Sequence, residues 1–337
     1  MNANVIDDDP TPPRIHMDRR TIDRLAARGL ISAAARDFAL DLIEPPRRWG
    51  LWVARLATTI GAALVLSGIV YFFAFNWDRI PPMAKLGGIA ALIVAAVLTV
   101  AVVGFGRVVT DVAGSAAVVL VGVFLAVDGQ IHQTGADAWQ LFVAWAALTL
   151  PWAILTGSAA TWGVWLVVAN IALITWWGQT QPDDSRRSGM HLCLILLDVA
   201  FLAARERLVA SGVAWPAARW TRIVLALPVL VVATLAAFWM WDRLTGFETR
   251  DIVMAVAIPG TFAGFFVVYR RLLPDLAVLS ATVIASCVVA DYVLFRLATG
   301  DMRHGDFGIF LLMGLVTLGL FAAAVAWLRH AARSMEV

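Results

Sequence analysis

The chain is predicted to fold as an all-α polytopic bundle of about ten transmembrane helices, preceded by a short pair of cytoplasmic helices. Two observations predict this. Ten apolar stretches fill the sequence from Leu51 to Leu328, and a spanning helix needs roughly 20 apolar residues at 1.5 Å rise each. The composition is 61% hydrophobic and 15% charged, against roughly 45–50% apolar and 25% charged in soluble domains. The net charge of +2 decides little, because a membrane protein's charge matters by side rather than by sum.

Taken in order, residues 1–16 with DDDP and TPPR read as a disordered tail. Residues 17–44 place Ile22, Leu25, Leu30, Ile31, Phe38, Leu40 and Ile43 at helical spacings. Gly29 suits a helix C-cap and Ser32 the N-cap of a second helix. Pro45-Pro46 then break the chain ahead of Arg47-Arg48 at the membrane surface. This divides the chain into a tail with amphipathic helix pair (1–48) and a transmembrane domain (49–337). The expected spans are 51–75, 84–103, 112–127, 140–157, 159–177, 190–204, 222–241, 251–269, 273–297 and 308–328. The sixth is the weakest, and VASGVAWPAARWT after it reads as an interfacial segment with Trp215 and Trp220 at headgroup depth. With the N-terminus in the cytoplasm, 18 Lys and Arg residues fall on the inner side and 8 on the outer. The positive-inside rule therefore expects both termini in the cytoplasm. No short apolar core with a cleavage site precedes the first span, which is expected to act as the insertion signal.

Pro81-Pro82 suit the first turn of the second span, where a missing N–H costs nothing. Gly260 and Gly264 have the spacing of a close helix–helix contact. FNWDRI (75–80) and MWDRL (240–244) echo each other. Such an echo is either a parallel repeat or ordinary interfacial chemistry at two helix ends.

Four groups of polar residues need an explanation. The outer segment 128–140 holds Asp128, Gln130, His132, Gln133, Asp137 and Trp139 between two apolar stretches. Asp128 and His132 lie four apart on one helical face, a spacing for a hydrogen-bonded pair. The competing structural reading makes Thr134 an N-cap with Asp137 at N3, starting the fourth span. Asn76, Trp77, Asp78 and Arg79 end the first span, with Asn76 on an orphan carbonyl, Trp77 in the aromatic belt and Asp78 paired with Arg79. Asp198 in the sixth span and Asp291 in the ninth are costly where they stand, a charge at the bilayer centre costing about 2.5–3.5 kcal/mol on insertion scales. Both are expected to face a bundle interior or a water-filled cavity, and Arg296 either reaches back to Asp291 or snorkels outward. Asn170 stands in the fifth span, and Asp275 after Pro274 reads as a helix-start acid. Of 15 tryptophans, Trp145, Trp152 and Trp165 lie deep enough to pack the interior or to wall a cavity.

Cys193 and Cys287 fall inside spans as packing residues, and the chain carries no nucleotide-binding glycine loop, HExxH, GxSxG or CxxC. No cofactor or metal is implied, and nothing points to a nucleic acid. The expected partners are the lipid bilayer, a lipid or small-molecule ligand, and a protein partner at the N-terminal helices.

Three strings are distinctive: LAARGLIS in the N-terminal helices, GIVYFFAFNWDRIPPMAKL, and GQIHQTGADAWQLFVAWAALTLPWAIL. Over residues 20–180 the chain resembles domain-of-unknown-function family 2157, predicted bacterial membrane proteins. The resemblance implies a bacterial inner-membrane location and no activity. The residues then leave three readings. One is a transporter-like or ligand-binding protein with an outward-facing site in 128–140 supported by Asp198 or Asp291. Another is a structural component acting through the N-terminal helices. The third is a membrane enzyme on a lipid-linked substrate, which requires Asp128, His132 and Asp137 to converge.

Overall fold

The computed structural model describes residues 19–43, single positions between 50 and 75, and 77–181, 187–242, 251–299 and 307–335. The tail of 1–16, the Pro45-Pro46 break with Arg47-Arg48, most of the first span and Asn76 lie outside the described residues. Among the described residues every regular element is helical. The chain divides into two units, Met1–Ile80 and Pro81–Val337.

The first unit contains α1 (Arg19–Ala27) and α2 (Ala33–Ile43), packed against each other. Gly29 closes α1 at φ 69°, a left-handed conformation glycine adopts without a Cβ clash. The Leu30 N–H reaches back to Leu25 O at 3.0 Å, so orphan carbonyls of the last turn are satisfied. The Ser32 hydroxyl accepts the Ala35 N–H at 3.2 Å and caps α2. Both caps are those the sequence predicts. Asp23 and Arg36 pair across the two helices at 2.8 Å. The described positions from 53 to 75 are helical, and Trp77–Arg79 form one 3₁₀ turn.

Among its described residues the second unit has nine helices: α3 (Pro82–Val103), α4 (Val108–His132), α5 (Ala138–Thr156), α6 (Ala159–Thr180), α7 (Arg187–Ala210), α8 (Arg219–Asp242), α9 (Asp251–Val267), α10 (Leu276–Thr299) and α11 (Phe307–Met335). Pro82 occupies the first turn of α3, as expected. A π-helical turn, Val268–Leu272, extends α9. Eight of the nine are long and apolar enough to cross a membrane, α9 with its π-helical turn. The exception is α7, whose last turns carry Arg205, Glu206 and Arg207; at 24 residues it still measures about 36 Å at 1.5 Å per residue. Large apolar side chains such as Val102, Leu148, Val256 and Leu318 are exposed on the helices, an outer surface suited to lipid rather than water. The chain is a multi-pass helical membrane protein.

Helices α3–α6 pack as one group and α7–α11 as another, with α6 against α7 joining them. The two groups are held differently. In the first, small residues on α4 admit indoles from α5. Trp145 Nε1 donates to Val118 O at 2.7 Å and Trp152 Nε1 to Gly114 O at 3.2 Å, while Trp165 Nε1 of α6 donates to Ala146 O at 2.8 Å. The deep tryptophans therefore tie helices together, each polar N–H finding a main-chain acceptor where water is absent. A methyl group at Gly122 would overlap the Trp145 ring, and one at Gly114 would meet Thr161 at 3.3 Å. The close approach expected at Gly260 and Gly264 is not made within this chain: a Cβ at either meets no atom within 4 Å. In the second group, Ile195, Leu202, Val229, Leu230, Phe265 and Leu279 form a shared apolar core.

Candidate functional site

At the end of the bundle where α6 and α8 begin and α7 ends, a charged network holds the chain. Arg205 on α7 is buried. Its Nε donates to Pro216 O (3.0 Å) and Thr221 Oγ1 (3.2 Å), and its Nη2 to the carbonyls of Ala217 and Ala218 (both 3.3 Å). Nη1 pairs with Glu206 at 2.8 Å. Glu206 also takes a two-pronged bond from Arg222 of α8, at 2.8 and 2.9 Å. Arg222 continues to Asp275 (3.2 Å), which Arg219 also contacts (3.3 Å). Asp275 accepts the N–H groups of Ala277 and Val278 and so starts α10, as its position after Pro274 predicts. One alternating chain of charges thus binds α7, the 211–218 segment, α8 and α10. Each guanidinium and carboxylate has a partner, which is the condition for burying charge.

Burial alone would push the Asp275 carboxyl up, but Arg219, the two backbone N–H groups and Arg222 outweigh it and hold the group below the ordinary carboxylate range. A depressed folded value contributes stability that is present at neutral pH and lost as pH falls through that value. Thermal stability is therefore expected to fall between about pH 5 and pH 3, and the Asp275→Asn variant is expected to show a flatter curve in that window.

Beside this network lies a cavity of about 390 Å³. Trp162 and Gly163 of α6, Ala200, Phe201 and Leu208 of α7, Trp215 of the interfacial segment, and Trp220 and Val224 of α8 contribute to its lining. Arg205 is the charged residue at its wall, and its donors are already committed to the network. The cavity thus offers mainly aromatic and aliphatic surface. Trp215 also covers the α5–α6 turn, lying 3.7 Å from where a Cβ of Gly157 would stand. Trp215 and Trp220, expected at headgroup depth, both line the cavity.

The deep end of the cavity is an aromatic layer. Phe201 stacks on Trp165 at 5.6 Å between ring centroids and meets Trp162 at 5.7 Å, and the two indoles are edge-to-face at 5.6 Å. Beyond it, near the middle of α6 and α7, Asn170 Nδ2 donates to Asp198 Oδ1 at 2.9 Å and to Leu166 O at 2.9 Å. Asp198 is fully buried and its Oδ2 has no hydrogen-bond partner. The expectation that Asp198 faces the bundle interior holds.

Asp291 lines a second cavity of about 350 Å³, with Phe238, Tyr292, Phe295 and Phe321, and accepts the Thr317 hydroxyl at 2.6 Å. Arg296 does not reach back to Asp291. It pairs with Asp242 at 3.0 Å, which also accepts the Tyr292 hydroxyl at 2.6 Å.

The 128–140 segment lies at the opposite end of α4–α6 from the Arg205 cavity. Asp128 and His132 form the pair their spacing predicts, at 3.0 Å, both substantially exposed. Gln133 ends α4 in the left-handed conformation (φ 46°), and Gln130 is exposed on its last turn. The cap register differs from expectation. Asp137, not Thr134, is the N-cap of α5, and its N–H donates to Gln140 Oε1 at 3.0 Å. The Trp139 N–H donates to Gln179 Oε1 at 3.1 Å, tying this segment to the end of α6. Asp128 and His132 thus engage each other while Asp137 is engaged at the start of α5. Trp77 is half-buried and Asp78 exposed in the 3₁₀ turn of the first unit.

Sequence reasoning missed Arg205, Glu206, Arg222 and the cavity beside them. One signal was available: His191, Asp198 and Arg205 stand seven residues apart on α7, and all three are buried. A heptad spacing keeps residues on one helix face, so a column of ionisable groups turned inward was legible in MHLCLILLDVAFLAARER.

No curated protein and no solved structure matches the chain. The cavity's α7 and α8 walls and Asp198 lie beyond the stretch that a family model covers, which takes in the N-terminal helices and the outer segment: residues 23–162 match the family of predicted membrane proteins DUF2157.

Proposed function

We propose that this protein binds the apolar part of an amphiphile, such as a lipid acyl chain, in the cavity between α6, α7 and α8. The observation that carries the reading is the cavity itself. Its volume of about 390 Å³ lies within the range of small-molecule sites, and its walls are mainly aromatic and aliphatic. Tryptophans at its rim suit the level where a lipid's head and chains part. On this reading the cavity opens on the cytoplasmic side of a bacterial inner membrane, with both termini in the cytoplasm, and serves a transporter-like or lipid-handling role. Native mass spectrometry of the protein in mild detergent tests it. A retained lipid or small molecule is expected in the parent and in the Asp128→Asn and His132→Ala variants, and at least tenfold less in Ala200→Phe, which fills the cavity. Equal retention by Ala200→Phe would overturn the reading.

Two further observations favour other readings. The Asp128–His132 pair, with Gln130, Gln133, Asp137, Trp139 and the 76–78 turn, supports a polar site at the outer end. Leu30 and Phe38, about two-thirds exposed at 67% and 70%, support a partner-binding role for the helix pair, which we take with residues 1–48 as a domain separate from the membrane domain of 49–337.

A further inference from the structure

We propose that Asp198 is a proton-binding site: its carboxyl carries a proton while the Trp162–Trp165–Phe201 layer is closed, and releases it to water when that layer opens onto the Arg205 cavity. The inference rests on the cavity reading for its coupling, and on the carboxyl's own surroundings for the proton.

The surroundings come first. Asp198 is fully buried, with one hydrogen bond at Oδ1 and none at Oδ2. Asn170 has no further hydrogen to give, since its second one goes to Leu166 O. An ionised carboxylate with a single neutral donor and no cation, in an apolar interior, costs several kcal/mol. The neutral acid keeps its Oδ1 acceptor bond and leaves one O–H without an acceptor, a smaller cost than an unpaired buried charge.

Among the described residues no cation pairs with Asp198. Helix α6 carries no ionisable side chain among its described residues. On α7, His191 and Arg205 each stand seven residues away, about 10.5 Å along the axis, and Arg205 is committed to Glu206 and four oxygen acceptors. The other titratable groups on α7 are Arg187 at its first position, Cys193, Glu206 and Arg207. Those of α8 are Arg219, Arg222 and Asp242, and those of α9 with its π-helical turn are Asp251, Tyr269, Arg270 and Arg271, all toward helix ends. One carboxyl and one amide fall well short of the six to eight oxygen ligands of a calcium ion or the octahedral set of magnesium, so the ligand that fits is a proton.

The layer supplies the coupling. Phe201 stands one helical turn from Asp198 on α7, and Trp165 five residues from Asn170 on α6. Phe201 and Trp162 of this layer line the cavity, and Trp165 packs behind them against Phe201. Parting them admits water to Oδ2. The O–H bond breaks, the proton passes to cavity water, and the carboxylate left behind is hydrated, which favours the open form. Reclosing requires the proton back.

The test uses the full chain in lipid nanodiscs. Infrared spectroscopy at neutral pH is expected to show a protonated-carboxyl band in the parent and in Asp291→Asn, absent from Asp198→Asn. In Asn170→Ala the band is expected to move to higher frequency, as the carbonyl loses its hydrogen bond. Parent and Asp198→Asn spectra that superimpose would overturn the site. Opening is read by alkylation of Leu166→Cys, with Cys193 and Cys287 replaced by alanine, normalised to the exposed position Ser211→Cys. The normalised rate is expected to rise at least tenfold as pH is raised through the titration of the band. It should stay low and flat in Asp198→Asn and keep a pH dependence in Asp198→Glu. The same pH dependence in Asp198→Asn, or dependence on sodium rather than pH, would overturn the coupling. Native mass spectrometry on the same samples separates the two ideas. A band without a retained ligand sinks the cavity reading alone, and a retained ligand without a band sinks the proton site alone.

Discussion

Replacing Arg205 by methionine is expected to cost about 3–5 kcal/mol of stability, read as a large fall in the unfolding temperature of the solubilised protein. The guanidinium is the anchor of the 211–218 segment. It holds the carbonyls of Pro216, Ala217 and Ala218 and the Thr221 hydroxyl while pairing with Glu206. Methionine fills much of the same space but removes the donor to the Ala217 carbonyl and one partner of the half-buried Glu206, leaving the Thr221 hydroxyl alone to hold Pro216 O. The segment is then expected to become the first site of limited proteolysis. Arg207, two residues on, is exposed, and its methionine variant is expected to stay within about 0.5 kcal/mol of the parent. Equal effects at the two positions would show that the network does not carry the stability assigned to it.

The second large effect is expected at Gly122. Alanine there places a methyl group inside the Trp145 ring, and the indole is fixed by its bond to Val118 O. Overpacking of this kind costs about 1–3 kcal/mol. Gly260→Ala is the control, since its Cβ meets nothing within 4 Å, and it is expected to be neutral or slightly stabilising through helix propensity. Trp145→Phe shortens the ring and removes the bond. The double variant Gly122→Ala/Trp145→Phe is expected to cost less than the sum of its parts, because the clash is gone once the ring is smaller.

How far the sequence foretold this structure depended on what each residue needed from its neighbours. Span positions follow from local composition, so the helices were legible, as were the caps at Gly29 and Ser32 and the helix-start role of Asp275. Asp128 and His132 were legible because four residues on a helix is one face. The failures are partner choices and one slipped cap. Arg205 and Arg222 read as ordinary inner-side positive charges, since nothing local shows that Glu206 and the 216–218 carbonyls will enclose them. Gly260 and Gly264 offered a closer match to a helix-contact motif than Gly114 and Gly122 did. The contact went to the latter because α5 presents two indoles there. The N-cap of α5 slipped from Thr134 to Asp137 because α4 runs on to His132 and the left-handed turn at Gln133 consumes the intervening residues.

The indole-to-carbonyl ties make α4, α5 and α6 a stiff plate, and the seam with α7 runs through Trp162, Trp165 and Phe201. Rings this close have coupled electronic transitions, so the seam carries its own optical signature. Any sliding of one plate past the other would alter the aromatic circular dichroism before it altered helix content, and the molecule would report its own motion without a label.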